Sequence, residues 1–491
     1  MARLLISAAH KSSGKTTLSI GLCAALTARG LAVQPFKKGP DYIDPMWLST
    51  ASGHACRNLD FYLMGHDEMR AYFARHSAGA DVSLVEGNKG LYDGLDLDGS
   101  NSNAALAKLL QLPVVLVIDA RGMTRGIAPL ILGYQAFDRD INIAGVILNN
   151  LGGARHEAKL RAVIEHYTEV PVLGAVHHDP ALQIKERHLG LMPSNESDAA
   201  ARQVAAIGKR VAAEVDLDAL LRVAAAAPPL AATDAALVQP LAPKGPKVRI
   251  GLARDRAFGF YYADDLEALQ AAGAELVPLD TLRDAHLPDV DGLFIGGGFP
   301  ELFTAELEAN ASLRGEIRSA IENGMPAYAE CGGLMYLSRS IAWQGTTREM
   351  VGVIPGDVMM HDRPVGRGYV RLQETDGLPW PDPDAVGARE IGAHEFHYSS
   401  LENLAPGTTF AYRVMRGHGV DGKHDGIVYK NLLASFIHQR DVEGKIDRIL
   451  AELRRAWLQS RRPRDRAPRR WSATVFVVGR RPPARRIRPG A

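Results

Sequence analysis

Only three of the 491 residues are cysteine: Cys23, Cys56 and Cys331. Three thiols cannot build a disulfide framework, and the absence of any Cys-x-x-Cys pair excludes a finger-type zinc site. No apolar run approaches the roughly 20 residues of a membrane-spanning helix. The N-terminus runs straight into Leu4-Leu5-Ile6, without the basic stretch and long apolar core of a secretory signal. These absences point to the reducing cytoplasm and to no membrane partner. Acidic residues are scarce in one place. Positions 461–491 hold eleven arginines and one acid, Asp465, so this tail carries +10 of a total of +1 and leaves −9 for the rest. A body of that sign has no general attraction for nucleic acid. The Arg/Pro-rich tail reads as a disordered end rather than a binding module.

A hydrophobic fraction of 46% and a charged fraction of 23% belong to a globular chain with a sizeable core. The length exceeds one ordinary domain. In the first half, short apolar runs alternate with helical patterns. Strands are expected at Leu4–Ala8, Val33–Phe36, Val82–Glu86, Val114–Asp119 and Ala144–Leu148, and helices at Thr16–Arg29 and Ser102–Leu110. Fully apolar short strands between helices predict a buried parallel sheet, hence a doubly wound α/β domain. An Ala/Pro-rich stretch at 223–246 reads as a linker. A second α/β alternation starts at Val248–Leu252 and includes Leu293–Ile295 and Ala327–Ala329. The expected domains are therefore 1–222 and 247–441. A helix from Glu443 to Leu458 and the tail would follow, at 442–491.

Residues 9–17 read Ala-His-Lys-Ser-Ser-Gly-Lys-Thr-Thr, after a strand and before a helix. That context makes a phosphate loop. Helix-start N–H groups favour an anion. Gly14 allows close approach of the backbone to the phosphates. Lys15 is placed for the terminal phosphates, and the Thr16 hydroxyl for Mg²⁺. Ser13 and Thr17 complete the candidate ATP contacts. Ala9 stands where the usual motif has its first glycine. Acids at strand ends, Asp41, Glu86 and Asp93, are candidates for metal or substrate handling, because open α/β sheets bind ligands there. Taken singly, each could equally be a helix cap or a turn residue. Lys37 and Lys38 are placed for phosphate or for the surface.

The second half holds Ala329-Glu330-Cys331-Gly332-Gly333, a strand–nucleophile–helix turn. A cysteine at a helix N-terminus is inclined towards the thiolate. The upstream Gly296-Gly297-Gly298 loop and the N–H of Gly332 offer an oxyanion hole. Downstream, Leu433–Ile437 leads to His438, a base for the Cys331 nucleophile. Arg363, Arg367 and His361 lie in a Gly-rich segment, as substrate contacts or as loop charges.

Both halves resemble the cobyrinic acid a,c-diamide synthases, corrinoid glutamine amidotransferases, from Met1 to about Arg440. In the first half the resemblance rests on Ser13–Thr17, on Lys38-Gly39-Pro40-Asp41-Tyr42-Ile43-Asp44-Pro45, and on Val85–Gly87 with Gly90–Gly94. In the second it rests on Ala329–Gly333 and Gly392–Ser399. The first half is similar to the dethiobiotin-synthetase-like P-loop class, the second to the class I triad amidotransferases. The resemblance implies ATP and Mg²⁺, with glutamine and cobyrinic acid as the other substrates. It implies an acyl phosphate at the c and then the a acetate, and ammonia released at Cys331 through a thioester. It assigns Asp41, Glu86 and Asp93 to metal or substrate, and Asn149 and Asn150 more weakly to the adenine. One departure stands out. The broader amidotransferase class follows its catalytic histidine with Pro-Glu, whereas Gln439-Arg440 follow His438 here, which leaves the group that orients that histidine unidentified. The alternatives in class are an enzyme acting on hydrogenobyrinic acid, or another tetrapyrrole amidotransferase. Outside it stands a ParA/MinD-like regulatory ATPase, which would carry its signature lysine where His10 stands.

Overall fold

The computed structural model describes residues 1–180, 183–184, 186–187, 190–196, 199–230, 247–380 and 389–440. The later part of the expected linker, the helix at Glu443–Leu458 and the arginine-rich tail lie outside the described residues.

The first half is one seven-stranded sheet in the order β3-β2-β4-β1-β5-β6-β7. The strands are β1 (Ala2–Ala8), β2 (Val33–Lys38), β3 (Arg57–Leu59), β4 (Val82–Glu86), β5 (Val114–Asp119), β6 (Ile143–Leu151) and β7 (Val172–His177), all parallel. Helices cover both faces, and β1 shows why its run is apolar throughout. Leu4 and Ile6 pack into one cluster with α1 (Lys15–Ala28), while Leu5 packs into the other with Val85 and Leu116. Neither face of the strand meets water, so alternation of polar and apolar residues disappears. The helix Ala200–Glu214 closes the first face. It buries Ala200, Val204, Ile207, Gly208 and Val211, a stripe of helical period.

The strand order reverses beside β1. The chain runs from β1 out to β2 and β3, returns to β4, then crosses to β5. Ligands bind at such a switch point, outside the carboxyl ends of the strands. The loops after β1, β2 and β4 therefore meet, and Ile6 on β1 lies in register with Glu86 on β4.

The second half departs from the simple alternation the sequence suggests. Its nine-stranded sheet is mixed. Ala274–Leu279, Val248–Ala253, Gly292–Ile295, Ala327–Glu330 and Leu432–Ser435 run parallel in that spatial order. His424–Tyr429, Thr409–Arg416, Gly366–Glu374 and Glu390–His397 continue it antiparallel. A four-stranded sheet, which includes Ser338–Trp343 and Ile354–Met360, packs alongside. Gly366–Glu374 and Thr409–Arg416 are half-exposed and the first is broken by glycine, so their apolar signal is weak.

The halves join through charge pairs and tyrosines. Arg57 pairs with Glu267. Arg440 reaches Asp264 at 2.6 Å and Glu68 at 2.8 Å, and the Tyr369 hydroxyl donates to Asp60 at 2.7 Å. Among the described residues no helix is long and apolar enough to cross a membrane.

Candidate active site

Two cavities lie at the carboxyl ends of the two sheets, and Asp41 lines both. The larger, about 940 Å³, opens over the phosphate loop. Gly14 caps α1 at φ 86°, a left-handed conformation that glycine adopts without strain. A Cβ there would lie 2.1 Å from Asn149 Nδ2. That amide donates to the Ser13 carbonyl at 2.8 Å, so Asn149 braces the loop from below. Lys15, Thr16 and Thr17 line the cavity, and burial lowers the Lys15 pKa. Ser13 is buried, its hydroxyl donating to the His10 carbonyl at 2.8 Å.

The acids gather around Thr16 and Lys37. The Thr16 hydroxyl donates to Glu86 Oε1 at 2.7 Å and lies 3.2 Å from Asp44 Oδ2. Lys37 Nζ reaches Asp44 at 2.5 Å, Glu86 at 2.9 Å and Asp41 at 3.8 Å. Lys37 is thus the buried counter-charge of this cluster. Glu86 is 0% exposed, and its Oε2 has no hydrogen-bond partner. Such an orphaned buried oxygen is costly unless a ligand or ion completes it. Burial, with Asp44 close by, pushes Asp41 up to about 7. Its carboxylate also accepts the N–H groups of Ile43 and Asp44 and so caps the helix Ile43–Ser52. The Asp93 charge acts, after those of Glu86 and Asp44, against the burial that lowers the Lys15 pKa, but the Asp93 carboxylate accepts the Gly90 N–H at 2.9 Å, the arrangement of a turn. Lys38 hydrogen-bonds Asn88 at 3.1 Å, and burial lowers its pKa to about 8.

The smaller cavity, about 270 Å³, is walled by both halves: Asp41, Tyr42 and Ile43 from one, Cys331, His394 and His438 among others from the second. Cys331 follows the strand Ala327–Glu330, and His438 follows its parallel neighbour, with Glu330 in register with Ser435. This register brings the two residues together. Cys331 is 7% exposed and has φ 48° and ψ −104°, an unusual backbone for a non-glycine residue. Its N–H donates to the Ser435 carbonyl at 2.7 Å, and its carbonyl accepts the Met335 N–H of the following helix. Strain of this kind turns a side chain out of a strand at a nucleophile elbow. The glycine loop lies against the pair. A Cβ on Gly297 would come within 2.6 Å of His438 Cε1, and one on Gly332 within 3.1 Å of the Gly298 nitrogen.

Burial works to lower the His438 pKa, yet the adjoining Cys331 and Glu330 charges overcome it and raise it to about 10. His394 lies against it. The rings stack with centroids 5.1 Å apart, and the two backbones exchange hydrogen bonds of 3.1 and 2.8 Å. Burial first, then the His438 charge, holds the His394 pKa well below that of a free histidine. The Tyr42 ring sits 5.0 Å from the His438 ring, so the segment that contacts the acid cluster also touches the base.

The structure therefore brings Asp41, Glu86, Thr16 and Lys37 into one cluster, and Cys331, His438, Gly297, Gly298 and Gly332 into another. His361 bonds Ser400, and Arg367 lies over the ring of Phe396, which lines the smaller cavity; neither contact is with a member of the two clusters. Asp44, Glu330, His394 and Asp425 were not singled out from the sequence as site residues. Asp44, Glu330 and His394 had a signal, since all three fall inside segments that carried the resemblance.

Residues 5–191 match the CobQ/CobB/MinD/ParA nucleotide binding domain family, and residues 249–440 match the CobB/CobQ-like glutamine amidotransferase domain family. Over 441 residues the chain is 50% identical to the cobyrinate a,c-diamide synthase of Magnetococcus marinus, covering 89% of this chain and 93% of that protein. The chain belongs to the cobyrinate a,c-diamide synthase family. The synthase of Methanosarcina acetivorans is 43% identical over 464 residues, covering 90% and 92% of the two chains. That of Listeria monocytogenes is 39% identical over 443 residues, covering 89% and 96%. Membership explains two sites in one chain. It also sets aside a MinD- or ParA-like regulatory ATPase with a dead amidotransferase domain, since the relatives that match across both halves are cobyrinate a,c-diamide synthases.

Proposed function

We propose that the chain is a cytoplasmic cobyrinate a,c-diamide synthase, amidating the a and c acetates of cobyrinic acid in cobalamin biosynthesis with ATP and with ammonia from glutamine. The observation that carries this reading is the sharing of Asp41 and its helix between the phosphate-loop cavity and the Cys331 cavity. An ATP-driven activation and an ammonia source have to meet, and this is where the two cavities adjoin.

In the larger cavity, ATP lies on the loop Ser13–Thr17 with its phosphates at the start of α1. Lys15 neutralises charge as the terminal phosphate passes to a substrate carboxylate. A carboxylate oxygen is a poor leaving group, and the acyl phosphate cures that. Thr16, Glu86 and Asp41 fit Mg²⁺, which takes one or two carboxylates together with phosphate oxygens; the orphaned Glu86 Oε2 supports this. Bound Mg²⁺ supplies electrostatic stabilisation of the phosphoryl oxygens. Asp44 shares that cluster through Thr16 and Lys37. Asn149 serves by holding the loop, and Asp93 by shaping the turn beside Lys15.

In the smaller cavity, Cys331 attacks the glutamine side-chain amide. The oxyanion rests on N–H groups of Gly332 and the Gly297-Gly298 loop. His438 gives its proton to the departing ammonia, and its raised pKa keeps that proton available at neutral pH. Water then hydrolyses the thioester to glutamate, and ammonia displaces phosphate from the acyl phosphate.

The test is conversion of cobyrinic acid followed by mass spectrometry, with wild type and Cys331→Ala, each supplied with glutamine or with ammonium. Two added amides with glutamine are expected of the wild type, and ammonium should rescue the variant. Failure to amidate cobyrinic acid, with glutaminase activity present, would move the reading to hydrogenobyrinic acid or another macrocycle.

A further inference from the structure

His438 needs an acid on its second ring nitrogen, and the residues that follow it cannot provide one. Gln439 is an amide, and Arg440 turns away into the interface, onto Asp264 and Glu68. We infer that Glu330, the residue immediately before the nucleophile, is the positioning carboxylate that orients His438 and stabilises its imidazolium. This rests on Cys331 and His438 being the glutaminase pair.

The geometry is direct. Glu330 is 2% exposed and ends the strand Ala327–Glu330. Its Oε2 lies 3.4 Å from His438 Nδ1, so Nε2 is the nitrogen left to serve the thiol. The other oxygen is fixed twice. It accepts the Tyr328 hydroxyl at 2.6 Å and the Gln439 N–H at 3.1 Å. Tyr328 and Glu330 are two apart on one strand and therefore share a face. The Gln439 N–H ties the carboxylate to the segment that carries the histidine. The left-handed turn at Cys331 then breaks strand alternation, so adjacent residues reach the same imidazole from two directions.

The groups facing His438 are Cys331, Glu330, His394 and Tyr42. His394 stays neutral, and burial holds the Tyr42 hydroxyl well above its usual pKa. Among the described residues, the carboxylate contacting the His438 ring is Glu330. An orienting acid fixes the tautomer and lowers the cost of charging the base, as in a catalytic triad. Here it precedes the nucleophile instead of following the histidine. A search guided by the usual spacing overlooks it.

The test compares Glu330→Gln, Glu330→Asp and Tyr328→Phe with wild type and Cys331→Ala, using cobyrinic acid with glutamine or with ammonium. Glu330→Gln should lose on the order of 10- to 1,000-fold in glutamine-dependent kcat, with the KM for glutamine within about twofold. The ammonium-dependent reaction, which by-passes the nucleophile, should hold. The alkaline limb of the glutamine-dependent pH profile, set by His438, should move to lower pH by about one unit or more. Glu330→Asp should recover part of the rate, and Tyr328→Phe should lose only a few-fold. An unchanged glutamine-dependent kcat and pH limb in Glu330→Gln would overturn the inference. So would an equal loss with both nitrogen sources, which would make Glu330 a structural residue. If Cys331→Ala kept glutamine-dependent turnover, the pair itself would be wrong and the inference would go with it. If Cys331→Ala lost it while Glu330→Gln did not, only the inference would fail.

Discussion

The two sites use the same element, a helix that starts just after a parallel strand, and solve its first residue in opposite ways. Gly14 opens α1 at φ 86°, and Cys331 opens its helix at φ 48° and ψ −104°. Phosphate recognition needs backbone N–H groups and clearance, so the residue with no side chain serves, and the left-handed conformation costs it little. Covalent catalysis needs a side chain at that point. The backbone strain, of order 1–3 kcal/mol, is then retained at the nucleophile. Glycine moves to the neighbours: a Cβ on Gly333 would lie 2.1 Å from the Ile295 carbonyl, and one on Gly332 2.9 Å from Pro300. Strain sits where a side chain reacts, and glycine where the backbone binds.

The sharpest way to break this comparison is to disable each half in turn. Lys15→Ala should abolish amidation with either nitrogen donor, by at least about 10³-fold, because activation of the carboxylate precedes both. A variant that kept ammonium-dependent amidation would separate the phosphate loop from the chemistry. A smaller effect comes from adding one carbon to each site. Gly14→Ala pushes against Asn149 and should cost on the order of 10²-fold with both donors. Gly297→Ala pushes against His438 and should cost a similar factor with glutamine alone. Equal losses with ammonium for Gly297→Ala would mean that its loop serves the interface between the halves and not the base. Asn149→Ala removes only the brace under Ser13. It should raise the KM for ATP by about tenfold, corresponding to one lost buried hydrogen bond.

The parallel sheet was readable because its strands are buried on both faces and therefore uniformly apolar. Val82–Glu86 and Val114–Asp119 agree with expectation residue for residue. The antiparallel half of the second sheet was not readable. Gly366–Glu374 mixes glycine, arginine and apolar residues on a half-exposed surface, and its register is set by partners far along the chain. The same division holds at the sites. Lys15, Thr16, Glu86, Cys331 and His438 lie at strand ends within motifs, where local sequence carries the chemistry. Lys37 read as a phosphate contact but proves to be the counter-charge of three acids, a role that only the junction of β1, β2 and β4 creates. Glu330 was in view beside the nucleophile, yet nothing local says which way its carboxylate points. His394 meets His438 through an isolated antiparallel bridge between segments that are distant in sequence.

The smallest effect concerns how each site braces its loop. The phosphate loop is held by a neutral amide, Asn149, whereas the turn leading to His438 is held by a carboxylate. Asp425 is 0% exposed and accepts from the Ser435 hydroxyl at 2.9 Å and from the N–H groups of Phe436 and Ile437 at 3.2 Å. Burial raises its pKa to about 6, against which these hydrogen bonds act. The folded state therefore holds the Asp425 proton more tightly than the unfolded chain, whose carboxyl titrates near 3.9. By linkage, its contribution to stability is fully present below about 3.9 and is lost as pH rises through 6. Asp425→Asn cannot ionise and should escape that loss. Whatever its fixed penalty, its melting temperature relative to wild type should rise by a few degrees between pH 4.5 and 7.5, as expected of on the order of 1–3 kcal/mol. The matching change in the neutral brace, Asn149→Ala, should show no such pH dependence. A flat difference for Asp425→Asn would mean that the carboxylate is fully ionised in the fold across this range. The two braces would then differ in charge without differing in how they respond to pH.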